Sequence, residues 1–273
     1  MQSIFSDFFQ KKKIDLFSAL PLSLCEIRKP YLLEREEISD GTVIMIAVPY
    51  FTRAARSPDR NLSAYAVCRD YHGFFRVLFD ELIPLLRARY PNERFAGFAD
   101  HSPIAELQAA ARAGLGVIGR NGLLITERYS SYVFLGEVIT TAVLPSAPVP
   151  IRECVGCGKC RRACPMEDLG GCLSALTQKK GAPPDGLRRA IRQYRTVWGC
   201  DICQEVCPYT QRAMESGSIF SPIPFFSEET VPCLTTELLD SMSDEEFAAR
   251  SFAWRGRETV RRNLLLYEEQ KPE

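Results

Sequence analysis

The chain has 273 residues, 46% of them hydrophobic and 25% charged, with 34 Lys/Arg balancing 34 Asp/Glu. That supplies ample core for one large domain or two modest ones, and zero formal charge excludes a generally basic nucleic-acid binder, leaving at most a local basic patch. Residues 1–13 lack the apolar stretch of a secretory signal, and the longest apolar run, Val43–Val48, is too short for a bilayer, so a cytoplasmic chain without a membrane partner is expected.

In chain order, Thr42–Tyr50 is apolar and β-branched, which predicts a strand buried on both faces. Tyr71–Tyr90 carries Phe74, Phe75, Leu78, Leu82, Leu85 and Leu86 at helical spacing, with Pro84 expected to kink the helix. Pro103–Ala113 reads as an Ala-rich helix capped by Ser102, with Pro103 at its first position and Gly114 beyond its end. Leu123–Thr126 and Tyr132–Leu144 read as strands. Gly114, Gly116 and Gly119 match GxGxxG, but this run follows a helix and precedes a strand, the reverse of the dinucleotide fingerprint. We assign no nucleotide site there. Pro145, Pro148 and Pro150 then mark a linker into a cysteine-rich zone, residues 151–212. Residues 213–273 read as a partly helical accessory tail, too poor in contiguous apolar faces for a core of its own.

Eight of the eleven cysteines lie between Cys154 and Cys207. Without a secretory route, such a cluster points to metal ligands or catalytic thiols rather than disulfides. Cys154-x2-Cys157-x2-Cys160-x3-Cys164-Pro165 has the spacing of bacterial iron–sulfur ferredoxins, where three thiolates hold one cubane and the fourth reaches another. The proline is expected to keep the loop from closing into a helix. Cys200-x2-Cys203-x3-Cys207-Pro208 repeats the ending, and Cys172 is the only cysteine between the groups. Crossed ligation gives one [4Fe-4S] cluster Cys154, Cys157, Cys160 and Cys207, and the other Cys164, Cys172, Cys200 and Cys203. The alternative is a zinc ribbon on Cys157, Cys160, Cys200 and Cys203, which leaves four cysteines idle. Cys25, Cys68 and Cys233 have no partner in spacing and read as structural thiols. The zone holds eleven Lys/Arg against six Asp/Glu. Arg161, Arg162, Arg188, Arg189, Arg192 and Arg195 can thus offset cluster charge or face an anionic partner.

Several segments carry a family resemblance: Tyr65-Ala-Val-Cys-Arg-Asp-Tyr-His72, Asp100-His-Ser-Pro-Ile-Ala-Glu106, Ala113–Ile125, Tyr132-Val-Phe-Leu-Gly-Glu137, Cys172–Thr177 and Trp198–Pro208. From about Thr42 to Arg212 the chain resembles the epoxyqueuosine reductases, which are similar in core to reductive dehalogenases. The resemblance implies an α+β protein: an N-terminal mixed α/β cobalamin-binding-like domain (1–147), a ferredoxin-like double [4Fe-4S] domain (151–212) and the tail (213–273). It implies removal of the epoxide oxygen of epoxyqueuosine in tRNA, with cobalamin and two [4Fe-4S] clusters as cofactors and a flavodoxin or ferredoxin as external electron donor. Asp100 matches the family's proton donor, a role that asks for a desolvated pocket to raise its pKa. Tyr71 and His72 are expected at the corrin or substrate pocket, and Tyr65, Leu124, Leu135 and Val138 at the corrin.

The chain also departs from the family pattern. Longer members continue into a C-terminal helical-repeat domain that grips tRNA, whereas Phe252–Asn263 looks like only its beginning. Seven residues separate Cys164 from Cys172 where longer members have a larger loop, and Cys68 replaces a glycine. The alternatives are a corrinoid reductase of a small molecule and a ferredoxin-type carrier without a substrate.

Overall fold

A computed structural model describes residues 1–167, 171–183 and 186–269. The N-terminal half is built on a four-stranded antiparallel sheet. After α1 (Gln2–Lys11) come β1 (Leu16–Pro21), α2 (Pro30–Arg35), β2 (Thr42–Pro49), α3 (Ala64–Val67), α4 (Tyr71–Arg89) and β3 (Phe95–Phe98). Then follow α5 (Glu106–Arg112), the small hairpin β4 (Val117–Ile118) and β5 (Leu124–Ile125), and β6 (Val133–Thr140). The sheet order is β1-β2-β6-β3, with Met45 of β2 opposite Glu137 of β6. Every residue of β2 is buried, as its unbroken apolar run predicts.

Period-two alternation sends the two sides of this sheet into different cores. Ile44, Ile46, Val48 and Val138 face one cluster, with α4 and aromatic residues of the tail. Val43, Met45, Ala47 and Ile139 face another, with α2 and the alanines of α5. α4 lies close on its face because Gly136 and Gly97 leave room. A Cβ on Gly136 would stand 2.4 Å from a Phe75 ring carbon, and one on Gly97 equally close to Phe79. The helix runs unbroken through Pro84, whose exposed position opens it to water rather than to a packing neighbour. Gly114, Gly116 and Gly119 serve the turn into β4 and the close β4–β5 contact, where a Cβ on Gly116 would meet the Ile125 carbonyl.

The expected start of α5 differs. The helix begins at Glu106 with Ala105 as its cap, because the Ser102 hydroxyl is engaged by Glu137 and by the Ile104 N–H instead.

The cysteine zone carries short helices: α6 (Lys159–Arg162), α7 (Leu173–Thr177), α8 (Leu187–Tyr194), α9 (Ile202–Glu205) and α10 (Pro208–Glu215). The tail adds α11 (Pro224–Ser227), α12 (Thr236–Ser241), α13 (Asp244–Ala248) and α14 (Arg257–Glu268). Its apolar residues form no core of their own. Ile219, Phe226, Leu234, Phe252, Val260 and Leu264 join Trp198 and the α4 face of the sheet in one cluster. Buried Asn263 fixes α14 to the cysteine zone by donating to the carbonyls of Thr177 (2.7 Å) and Val197 (2.9 Å). No helix among the described residues is long and apolar enough to cross a membrane.

Candidate redox and proton-donor site

The backbone gathers the eight cysteines into two groups. Cys154 is pinned when its N–H donates to Ile118 of β4, at 2.9 Å. Gly158, at φ +75°, turns the chain into α6, which presents Cys160. Cys207 caps α10, so that Cys154, Cys157, Cys160 and Cys207 line one hollow together with Arg120, Ile125 and Tyr209. Pro208 is the first residue of α10, a position suited to its fixed φ, so here the proline starts a helix rather than preventing one.

Cys164 and Cys172 lie near enough to Cys200 and Cys203 to act on them electrostatically. Burial pushes the Cys203 thiol up to about 12, helped by the negative charge that Cys200, Cys172 and Cys164 would carry beside it. Cys200 is raised to about 11, chiefly by burial, with Asp201, Cys172 and Cys164 adding to it. Thiols so placed resist ionisation by themselves and become good ligands only when a cation takes up their charge. Among the described residues no three His, Cys, Asp or Glu side chains converge as ligands of a single metal ion. A cubane asks for something different, one thiolate at each of four separate corners.

This zone is stapled to the α/β half. Asp201, between Cys200 and Cys203, is buried, and Arg60 donates to it at 2.5 Å while also reaching Glu205 at 2.5 Å. The Ala64 N–H donates to the same Asp201 carboxylate at 2.6 Å. Gly199, at φ +75°, lets the chain pass Ser63 so closely that a Cβ would overlap its hydroxyl.

Asp70 caps α4 and accepts the His72 N–H at 3.1 Å, which starts the helix with the His72 ring facing outward. That ring has Nδ1 2.8 Å from Asp70 Oδ1 and Nε2 3.7 Å from Asp100 Oδ2. The first is a hydrogen bond; the second is an ion-pair distance too long for one. Asp100 and Asp70 together raise the His72 pKa to about 9. Asp100 itself stands in the left-handed region, φ +63°, with its side chain 70% exposed. His72 beside it holds its carboxyl below the usual range. The raised pKa expected of an acidic Asp100 is therefore not found: the loop turns the carboxyl outward, and the neighbouring imidazole takes the proton. Tyr71 is half-buried, stacked on Phe134 of β6 at 4.1 Å, and Phe134 stacks in turn on Tyr50 at 4.2 Å.

The remaining residues expected at a corrin do not line one surface. Tyr65 is half-buried and its hydroxyl accepts from Gln178 next to α7. Leu135 and Val138 belong to opposite faces of the sheet, and Leu124 is buried in the cluster on the α5 side. Cys68 and Cys25 are packed thiols, each pushed up to about 12, chiefly by burial.

The motifs assign no role to Glu106 and Glu137, although both residues lie in segments that carry the family resemblance. Glu137 is wholly buried and accepts from Ser102, while Glu106 Oε1 accepts the Asp100 N–H at 3.3 Å. The one available signal was a carboxylate in the middle of an apolar strand.

Comparison with known proteins agrees with the motifs. The family model "Epoxyqueuosine reductase QueG, DUF1730" matches residues 39–101. An epoxyqueuosine reductase from Lactococcus garvieae is 32% identical over 245 residues, covering 82% of this chain and 67% of the relative. One from Gloeobacter violaceus is 34% identical over 218 residues, covering 76% and 68%. The crystal structure of an epoxyqueuosine reductase with an epoxyqueuosine-modified tRNA-Tyr stem loop superposes with a TM-score of 0.75 at 25% identity, covering 97% of this chain and 81% of that one. The chain spans about two thirds of the length of these curated relatives, and with its mixed α/β fold it belongs to the epoxyqueuosine reductase family.

Proposed function

We propose that this chain is a cytosolic oxidoreductase that converts epoxyqueuosine to queuosine in tRNA, drawing its electrons through two [4Fe-4S] clusters. The observation that carries this reading is the assembly, in one family member, of two cysteine quartets and a His72–Asp100 proton pair on a shared scaffold. Removing an epoxide oxygen consumes two electrons and two protons, yields an alkene and releases the oxygen as water. The clusters, one on Cys154, Cys157, Cys160 and Cys207 and the other on Cys164, Cys172, Cys200 and Cys203, supply electrons singly when bound. Cys200 and Cys203, whose burial disfavours ionisation until a cationic core takes up their charge, suit that role. His72 and Asp100 serve the proton side. The imidazolium, held charged by Asp100 and Asp70, carries its Nε2 proton on the side of the solvent-exposed Asp100 carboxylate, whose Oδ2 lies 3.7 Å from that nitrogen.

Cobalamin is the family's further cofactor and we retain it here. Because Leu135 and Val138 point to opposite faces, the candidate side chains do not form one cradle, and we assign no step to them. An external flavodoxin or ferredoxin completes the electron supply, and a local arginine surface meets the tRNA phosphates. The architecture then reads as a cobalamin-binding-like α/β domain joined to a ferredoxin-like one.

The test is anaerobic reconstitution with iron, sulfide and cobalamin, then incubation with epoxyqueuosine-containing tRNA and a reductant. Nucleosides that lose one oxygen atom, by mass spectrometry, are the expected product. An iron-replete protein that leaves epoxyqueuosine untouched would overturn the reading.

A further inference from the structure

Behind the Asp100 loop lie two carboxyl groups that the reaction above does not use. Glu137 sits within β6 with no part exposed to solvent. Its Oε1 accepts from Ser102 Oγ, and its Oε2 finds no donor among the described residues. What lies against it is the carboxyl of Glu106, from the first turn of α5. Ionised carboxyl oxygens only accept hydrogen bonds, so two of them in contact, one fully buried and the other half-buried, repel unless a proton lies between them. A protonated pair removes the repulsion and gives the orphan oxygen its partner in one step. Burial followed by mutual repulsion keeps Glu137 well above the carboxylate range, and burial lifts Glu106 to about 7.

The pair is also tied to the loop at two points. Glu106 Oε1 accepts the Asp100 N–H at 3.3 Å, and the Ser102 hydroxyl that donates to Glu137 accepts the Ile104 N–H at 3.1 Å. Among the other titratable groups around the pair, Asp100 opposes ionisation of Glu106 and Lys29 favours it, Glu106 in turn helps to raise the Tyr71 hydroxyl on α4, and Glu137 helps to raise the Cys25 thiol, which Arg112 lowers.

We propose that Glu106 and Glu137 are positioning residues for Asp100: they share a proton, and that shared proton holds the loop of residues 100–104 against β6. When the proton leaves, two like charges stand in contact, and the strain is relieved by letting Glu106 and the loop swing away from Glu137. The loop is thus latched at low pH and released as pH rises. The importance of the latch for turnover rests on the reading of Asp100 given above, but the latch itself does not.

Amide hydrogen–deuterium exchange of the full chain, corrected for intrinsic rates, tests it without any turnover. Protection of residues 100–104 should fall by about tenfold or more between about pH 6 and about pH 8.5 in the unaltered chain. Glu137→Gln should keep the loop protected across that range, because an amide donates to Glu106 without titrating. A flat profile in the unaltered chain, or an unchanged slope in Glu137→Gln, overturns the proposal. Should Glu137→Gln fail to fold, as circular dichroism would reveal, Glu106→Gln must flatten the profile instead. A pH-dependent loop in a protein inert toward epoxyqueuosine would overturn the functional reading alone, and a flat loop in an active protein would overturn the latch alone.

Discussion

Asp100 and His72 divide between them a task that the sequence motif places on Asp100. An exposed carboxylate beside an imidazole does not hold a proton near neutral pH, whereas the imidazole, flanked by Asp70 and Asp100, does. The part of turnover that depends on the His72 proton should therefore be intact through neutrality and be lost as pH rises through about 9, an alkaline limb distinct from the opening of the loop at lower pH. A pH–rate profile of His72→Gln should lack that alkaline limb. The same sign governs stability: with the pKa raised from 6.5 to about 9, the His72 contribution is complete below 6.5 and is lost through 9. Asp100→Ala should keep the fold and its iron yet lose turnover, because no other carboxylate on the loop faces His72; undiminished activity would remove Asp100 from the reaction. At this scale the residue types and their motifs were legible in the sequence. The loop's left-handed turn at Asp100 and the Glu106–Glu137 contact were not, since both depend on where the chain lands relative to β6.

Among the elements, patterns long enough to average over several residues were read correctly, as for β2 and α4. The short strands β1 and β3 escaped because LFSALP and FAGF carry no periodicity of their own; they are strands because β2 and β6 offer unpaired edges to join. Ser102 misled for a related reason. A hydroxyl before an Ala-rich run looks like a cap until a buried carboxylate claims it. The close approach of α4 to the sheet has a direct consequence for the site, because His72 rides on the first turn of that helix. Gly136→Ala would drive a methyl into Phe75, costing about 1–3 kcal/mol by overpacking. Thermal unfolding should register the loss, and the displaced helix should also lower turnover through His72.

For the molecule as a whole, the core shared between distant segments was not legible in the sequence, because packing between such segments leaves no trace in local composition. The Arg60–Asp201 pair shows how tightly the zones are joined. Removing the guanidinium strands a buried carboxylate, so Arg60→Ala should cost about 3–5 kcal/mol in a denaturant melt. The reconstituted protein should hold about eight irons, as two four-iron clusters require; about one zinc and no iron would restore the ribbon alternative.

Trp198, Phe252 and Leu264 pack in one cluster with Ile44, Phe75 and Val138. Whatever the cysteines carry therefore cannot roam on a tether toward Asp100 or away from it. If the cysteines carry the proposed clusters, electron passage within the chain is a first-order event, indifferent to protein concentration, and only an encounter with a separate donor would depend on it. Partial proteolysis, for the same reason, should release no ferredoxin-like fragment that survives by itself.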